Sequence, residues 1–348
     1  MQTGDDLAKT GDGATDAFGT LARLARRWPE VAFTLFMLAA TAGFSLGLGL
    51  PFHLPSGDRA AFVGIHYLYP IAGLAIWALV AAFGQKRNLL SVFLVALPCY
   101  AIVLVCHFNI KLWGPHINPM LWDDLYWAMD QAVRPLIDGS FAARNWIDPV
   151  IPLDGNFYVT GYIMMFYVSF CYHAIVTPDK FRTLFLAALF VQGLGALAYL
   201  AMPALGPFLY EAGVETKVTG AQASMLAAYH ANVAGGAEWL AANGGTHITV
   251  GLAAMPSLHA ALAFLFWLFA WKHGRTLLIP YSLIFGYILV AAVANRWHYV
   301  IDMPVGIALA WACCRAAHRL TGVPWKTETR STEPAIEGDR VPAKEALA

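Results

Sequence analysis

The sequence predicts an all-α polytopic membrane protein with about eight transmembrane helices. Three observations support this fold class. First, 59% of the 348 residues are hydrophobic and only 13% are charged, whereas soluble domains carry about 25% charged residues. Second, several uncharged runs reach the roughly 20 residues that a helix needs to cross the hydrocarbon core. Third, positive charges recur in the short connections between these runs.

Seven runs without Asp, Glu, Lys or Arg are long enough to be spans. In chain order they cover 31–50, 62–84, 89–108, 156–177, 183–202, 253–271 and 276–294. An eighth, about 298–317, has Asp302 near its start and Arg315 near its end. The first 30 residues are polar and lack the apolar core of a signal peptide. Because the run that follows is too long for such a core, we expect a membrane span there.

The positive charges predict how the protein is oriented. The connections 85–88, 178–182 and 271–275 each carry two Lys or Arg residues, which concentrate in cytoplasmic loops. With eight spans, these connections and both termini lie in the cytoplasm. The two long connections, 109–155 and 203–252, then lie on the opposite side, and both hold more acidic than basic residues.

The first long loop is predicted to contain a helix that lies on the membrane surface. Its apolar residues recur at helical spacing, namely Leu121, Trp122, Leu125 and Met129. We interpret the acidic residues of this stretch as a solvated helix face, with a divalent-cation site as the alternative; they are Asp123, Asp124 and Asp130. The second long loop is expected to form a helix near 222–242.

We therefore expect five segments. They are a cytoplasmic tail (1–30), spans one to three (31–108), an extracytoplasmic loop with an interfacial helix (109–155), spans four to eight with the candidate catalytic residues (156–322) and a disordered cytoplasmic tail (323–348).

Two short patterns place ionisable residues at the ends of predicted spans. The first is "MPSLH" (255–259), in which Ser257 and the free N–H groups of the first helical turn form a site for anions. The second is "HYVID" (298–302), in which His298 and Asp302 are four residues apart and project from one face of a helix. The carboxylate can accept a hydrogen bond from one imidazole nitrogen, which leaves the other nitrogen free to attack.

The connection between the two patterns predicts that they meet. From 256 the chain crosses the membrane, turns near 271–275 and returns through about 20 residues, each of which advances a helix by about 1.5 Å. His259 and His298 are therefore expected at the same extracytoplasmic surface. The histidines that we interpret as packed or hydrogen-bonded residues are His66, His107 and His173.

These patterns resemble a known family. "MPSLH" and "HYVID" are similar to the second and third signature motifs of the type 2 phosphatidic acid phosphatase superfamily. Within it, "MPALGPFLY" (202–210) and the "WDDLYWAMD" region (122–130) resemble the branch that contains inositol phosphorylceramide synthase. The resemblance covers roughly residues 110–318. It implies a six-helix phosphatase or phosphotransferase core preceded by two N-terminal spans.

The resemblance also implies a role for each catalytic candidate. His298 would attack phosphorus and form a phosphohistidine, Asp302 would orient it, and His259 would protonate the leaving oxygen. An alkoxide leaves poorly unless it is protonated, and a covalent intermediate lets two alcohols exchange at one site. The candidate substrate-binding residues are Ser257, Arg296 and Tyr299.

The basic residues depart from the phosphatase pattern. The chain has no Lys-x6-Arg-Pro motif, and Ala292 stands where an Arg would precede the catalytic histidine. Arg296 is therefore the first candidate for balancing the charge of a phosphate. Further candidates are Lys111, Arg134, Arg144 and Lys217.

Together these expectations describe a membrane enzyme that acts on lipid phosphates without a metal or other cofactor. The expected reaction transfers a phospho-head-group in phosphoinositol-type or phosphosphingolipid synthesis. The alternative is a lipid or polyprenyl phosphate phosphatase that uses water as the acceptor. The partners would be lipid substrates, with no obligate protein partner, and the zero net charge argues against nucleic acid. The active site would face the periplasm or a lumen.

Two other classes fit the residues less well. His259, His298 and Asp302 could form a two-histidine, one-carboxylate iron site, but the repeated His-x-x-x-His pattern of membrane desaturases is missing from the sequence. A transporter would place polar residues near the middle of the bilayer, whereas here they lie at the ends of spans.

Overall fold

A computed structural model describes residues 26–56, 87–149, 155–214, 216–248 and 254–325, together with three isolated positions. All regular elements within these ranges are helices, so the predicted all-α class is confirmed for this part of the chain. The predicted span 62–84 and most of both predicted tails lie outside the described residues.

Ten α-helices follow one another in these ranges. They are α1 (Pro29–Leu48), α2 (Arg87–Ile117), α3 (Asp123–Ala132), α4 (Arg134–Ile147), α5 (Gly155–Ile175), α6 (Pro178–Ala201), α7 (Thr216–His247), α8 (Leu258–His273), α9 (Leu278–Ala294) and α10 (Asp302–Thr321). The predicted helix near 222–242 is confirmed as part of α7, which is interrupted at Gly236, where φ is 55°.

Four helical segments are long and apolar enough to cross a membrane. They are Pro29–Leu48, Val92–Ile117, Pro178–Ala201 and Arg275–Ala294. Large apolar side chains on them face outward, and Ile279 and Leu283 are 75% and 71% exposed. Because contiguous apolar surface of this kind is rare on soluble proteins, these helices indicate an integral membrane protein. α5, α8 and α10 occupy further predicted spans, with 21, 16 and 20 residues.

Helix ends follow familiar local signals. Pro29 and Pro178 lie in the first turns of α1 and α6, where the missing N–H has no helical partner to lose. Gly49 and Gly322 end α1 and α10 in the left-handed conformation, with φ values of 64° and 72°.

The helix that contains the third predicted span continues past the expected boundary at 108, because α2 ends at Ile117. Ile110, Leu112 and Trp113 are almost fully buried, so the apolar face of the helix extends beyond the expected boundary. Lys111 therefore lies within α2 and not in the loop that follows it.

α6 is the central helix, and most of its residues are buried. It packs against α2, α5, α8 and α10, while α8 also contacts α9. The described bundle thus holds the first residues of α8 and α10 at one end, together with the last turns of α2 and α6.

Candidate active site

His298 and Asp302 form a hydrogen-bonded pair. Nδ1 of His298 lies 3.1 Å from Oδ2 of Asp302, and the same oxygen accepts a 3.0 Å hydrogen bond from the N–H of Tyr299. Asp302 is fully buried and His298 is 8% exposed. The prediction that His298 lies in a helix was wrong, because it lies in the turn before α10. The predicted contact between His298 and Asp302 is nevertheless present. Because Nδ1 is engaged, Nε2 is the nitrogen available for chemistry.

Ser257 lies directly beside this nitrogen. Its Oγ is 3.4 Å from Nε2 of His298 and caps α8 by accepting a hydrogen bond from the N–H of Ala260. The N–H of Ser257 donates to the carbonyl oxygen of Asp302 over 3.2 Å. A methyl group on Gly306 would lie 2.5 Å from the carbonyl oxygen of Ser257. Close backbone packing therefore holds the starts of α8 and α10 together.

His259 lies one residue inside α8 and is partly exposed. Its ring meets the rings of Tyr158 and Tyr162 edge-on, with centroid distances of 5.1 and 4.8 Å. Ser257, two residues earlier in the chain, lies 3.4 Å from Nε2 of His298. The three catalytic candidates and Ser257 thus lie at the same end of the described bundle.

Arg296 is a buried, ion-paired residue. Its Nη2 lies 3.3 Å from Asp130 Oδ2 and its Nε lies 2.8 Å from Glu211 Oε2. Its guanidinium also lies over the Trp127 ring, 5.7 Å from the centroid. The backbone of Arg296 has a φ of 55°, which is uncommon for a residue with a side chain. Within the described ranges, Nη1 has no hydrogen-bond partner.

Tyr299 points into the protein. It is fully buried, and its hydroxyl donates a 2.7 Å hydrogen bond to Oδ1 of Asp123. Asp123 also accepts hydrogen bonds from the N–H groups of Leu205 and Gly206. The structure therefore connects Tyr299 to the 203–206 segment and not directly to the space in front of His298.

The prediction that Asp123 and Asp130 lie on a solvated face was wrong, since they are 5% and 1% exposed. Oδ1 of Asp130 accepts a 2.9 Å hydrogen bond from the N–H of Val300. Burial raises the pKa of both carboxyls, and the hydrogen bonds that they accept act in the opposite direction. Only Asp124 of the three is exposed. Asp123 and Asp130 are seven residues apart, which is two helical turns. This spacing is the signal in the sequence that places both carboxylates on one face of the helix.

The outer face of α3 is apolar. Leu121, Leu125 and Met129 are 37%, 44% and 39% exposed, so the predicted helical spacing is present around α3. The carboxylates face inward because buried backbone N–H groups need acceptors. Asp123 accepts from Leu205 and Gly206, and Asp130 accepts from Val300 in the turn before α10. A helix with an apolar outer face at this end of the bundle suits the membrane interface.

The other basic candidates differ in their partners. Arg134 forms ion pairs with Asp138, at 2.9 Å, and with Glu211. Arg144 donates to the carbonyl oxygen of Ala294 over 3.0 Å. Nζ of Lys111 lies 5.4 Å from the centre of the Tyr199 ring. The Lys217 side chain lies outside the description.

A small cleft lies beside Lys111, and its lining also includes Asn118, Tyr199 and Tyr229. Among the residues that the structure describes, no group of three or more His, Cys, Asp or Glu residues is arranged to hold a metal ion. Of the α3 carboxylates, Asp123 accepts a hydrogen bond from Tyr299 and Asp130 is paired with Arg296.

The helices and the site define an integral membrane protein with a buried His–Asp pair at one end of its bundle. A family model described as the PAP2 superfamily matches residues 127–316, more than half of the 348 residues. The chain therefore belongs to the PAP2 superfamily, whose members are phosphatases or phosphotransferases. No curated protein and no solved structure matches the chain. The matched range contains all three catalytic candidates.

Proposed function

We propose that the protein is a lipid phosphotransferase that moves a phospho-head-group between two alcohols through a phosphohistidine on His298. One observation carries the proposal: Nδ1 of His298 lies 3.1 Å from the buried Asp302 carboxylate, while Nε2 lies beside Ser257. A buried carboxylate orients the imidazole and stabilises the positive charge that develops on it. The preferred products are phosphoinositol-type lipids or phosphosphingolipids.

The reaction has two half-steps. In the first, Nε2 of His298 attacks phosphorus, the P–N bond forms, and the P–O bond to the leaving alcohol breaks. His259 gives its proton to the departing oxygen. In the second, the acceptor alcohol loses its proton to His259 and attacks phosphorus, and the P–N bond breaks. Asp302 holds the imidazole in place throughout.

The substrate phosphate would lie against the first turn of α8. Free backbone N–H groups in the first turn of a helix favour the binding of anions. The Ser257 Oγ lies 3.4 Å from the attacking nitrogen. Arg296 would contribute Nη1, the guanidinium nitrogen that lacks a hydrogen-bond partner within the described residues. Tyr299 would act indirectly, through its hydrogen bond to Asp123.

The proposed topology has eight spans and both termini in the cytoplasm. The four long apolar segments, with α5, α8 and α10, supply seven of these spans, and 62–84 is proposed as the remaining one. Basic connections then lie at the cytoplasmic ends. The candidate site lies at the opposite ends of the helices, facing the periplasm or a lumen.

The inositol phosphorylceramide synthase-like branch is proposed on two segments that contact each other. The N–H of Trp122 donates to the carbonyl oxygen of Pro203 over 2.9 Å, and Asp123 accepts from Leu205. "WDDLYWAMD" and "MPALGPFLY" thus form one structural unit beside the turn that carries His298. A lipid or polyprenyl phosphate phosphatase is the second candidate, because water could replace the acceptor alcohol after the same first half-step.

Mass spectrometry of total membrane lipid incubated with the purified protein tests the function. Transfer yields a lipid with an exchanged head group, whereas hydrolysis yields phosphate or a free phospho-head-group. His298→Ala should abolish both the product and any acid-labile phosphoenzyme. His230→Ala, which changes an exposed histidine of α7, is the matched control and should retain both. Full activity in His298→Ala would contradict the assignment of the nucleophile.

A further inference from the structure

Most basic side chains near the candidate site are already compensated by acceptors. Arg296 pairs with Asp130 and Glu211, and Arg134 pairs with Asp138 and Glu211. A phosphate could accept a hydrogen bond from Nη1 of Arg296, but carboxylates already neutralise the charge of both guanidiniums. The site therefore needs a positive charge from another part of the chain.

Lys111 is the residue that meets this need. Among the described residues, no carboxylate lies within ion-pair distance of its ammonium group. Its Nζ lies over the face of the Tyr199 ring, 5.4 Å from the ring centre. An ammonium group inside a membrane span is costly unless it is paired or serves a function. A cation–π contact compensates only part of that cost.

The position of Lys111 brings it towards the reacting groups. It lines the cleft with Asn118 and Tyr199, at the same end of the bundle as the first turn of α8. Gly195, one turn before Tyr199 on α6, packs against the side chain of Leu258, the first residue of α8. His107, one turn earlier on α2, contacts the Tyr199 ring from a centroid distance of 5.7 Å. These contacts join α2, which lines the cleft, through α6 to the start of α8.

We propose that Lys111 binds the non-reacting oxygens of the substrate's phosphate group, an inference that rests on the proposed phosphotransfer function. A lysine acts on phosphate as a point charge and needs no fixed planar geometry. It also lies outside the matched range 127–316, so α2 contributes to the site in addition to the helices that carry the family motifs. The ligand is a tetrahedral phosphate, borne by a lipid or free.

The test measures phosphate binding by the full chain in detergent. The melting temperature is followed while inorganic phosphate, or in a second series short-chain phosphatidic acid, is titrated into the wild type, Lys111→Met, Lys111→Arg and Lys180→Met. Lys180 pairs with Asp179 at the start of α6, at the opposite end of that helix from Tyr199. We expect Lys111→Met to weaken affinity by about tenfold or more, Lys111→Arg to restore most of it, and Lys180→Met to leave it unchanged.

The outcomes separate this inference from the function on which it rests. Weaker binding of both probes supports a site for phosphate itself, and weaker binding of the lipid alone supports a site for lipid-borne phosphate. Unchanged affinity in Lys111→Met overturns the inference while the phosphohistidine mechanism stands. If the wild type turns over lipid without a thermal shift, the KM for the lipid is compared between the wild type and Lys111→Met. A raised KM in Lys111→Met supports the inference, and an unchanged KM overturns it. A wild type with neither binding nor turnover overturns both.

Discussion

The hydroxyl of Tyr299 donates a 2.7 Å hydrogen bond to Oδ1 of Asp123 and so joins the turn beside His298 to α3. Asp123 also accepts from the N–H groups of Leu205 and Gly206. One buried carboxylate thereby connects three segments that are distant in the sequence. The position of the proposed nucleophile depends on α3, a short helix at the end of the bundle.

Tyr299→Phe removes this bond and leaves Asp123 with one donor fewer. We expect a loss of about 1–3 kcal/mol in the free energy of unfolding and a lower kcat, with KM nearly unchanged because the hydroxyl faces Asp123. Thermal unfolding and steady-state kinetics provide the measurements. Tyr210→Phe is the matched control, since its hydroxyl contacts the exposed Asp124. A raised KM with unchanged stability would instead favour direct contact between Tyr299 and the substrate.

Asp302→Asn should reduce the rate far more than binding. The carboxylate oxygen that faces Nδ1 of His298 also accepts a hydrogen bond from the N–H of Tyr299. The amide oxygen of Asn carries no negative charge and cannot replace the carboxylate for both donors. We expect kcat to fall by roughly 10²- to 10⁴-fold, as for other buried carboxylate–histidine pairs. The measurement is kcat and KM at saturating acceptor. A change in affinity alone would make Asp302 a structural residue.

Gly306→Ala should disturb the contact between α10 and Ser257. The added methyl group would lie 2.5 Å from the carbonyl oxygen of Ser257, a backbone atom that can move only with the start of α8. Overpacking of this kind costs about 1–3 kcal/mol, and turnover should fall with it. Gly286→Ala in α9, where a methyl group meets no atom within 4 Å, is the control and should be neutral or slightly stabilising. Equal stability of the two variants would contradict the close contact.

Accessibility of introduced cysteines tests the topology. In a Cys171→Ser background, because Cys171 is exposed, Glu238→Cys should react with a membrane-impermeant maleimide in intact cells. Gln85→Cys should react only after the membrane is permeabilised. The reverse pattern would place the candidate site in the cytoplasm.

Turnover should persist in excess EDTA, because a histidine nucleophile and a histidine acid need no metal ion to activate water. The measurement is the initial rate after dialysis against chelator, with and without added Mg²⁺ or Fe²⁺. Loss of activity that returns with Fe²⁺ would favour the two-histidine, one-carboxylate alternative.

Local spacing accounts for what the sequence could predict. His298 and Asp302 are four residues apart, and their contact needs only one turn of chain. The apolar runs likewise define the helices, because a membrane helix satisfies its own backbone hydrogen bonds. The extension of α2 to Ile117 was harder to predict, because the charge of Lys111 interrupts the apolar run in the sequence. Leu112 and Trp113, which follow Lys111, are nevertheless buried in the structure.

The environment of α3 could not be read from local pattern. Asp130 and Arg296 are 166 residues apart in the chain, and the burial of the carboxylate depends on the turn that it meets. Arg296 adopts a φ of 55°, which propensity does not predict for arginine. Acidic residues on an amphipathic helix usually face water, and here the inward N–H groups reverse that preference.

Since Asp302 occupies one nitrogen of the His298 ring, a phosphorus atom can bond to this imidazole at a single position. In the proposed mechanism the first alcohol therefore leaves phosphorus opposite Nε2, and the second alcohol attacks from the same side. Each step inverts the geometry at phosphorus. Two inversions cancel, so a chiral phosphorothioate substrate would emerge with its original handedness. The same restriction means that donor and acceptor occupy one place in succession, and a stable ternary complex of the two would not form.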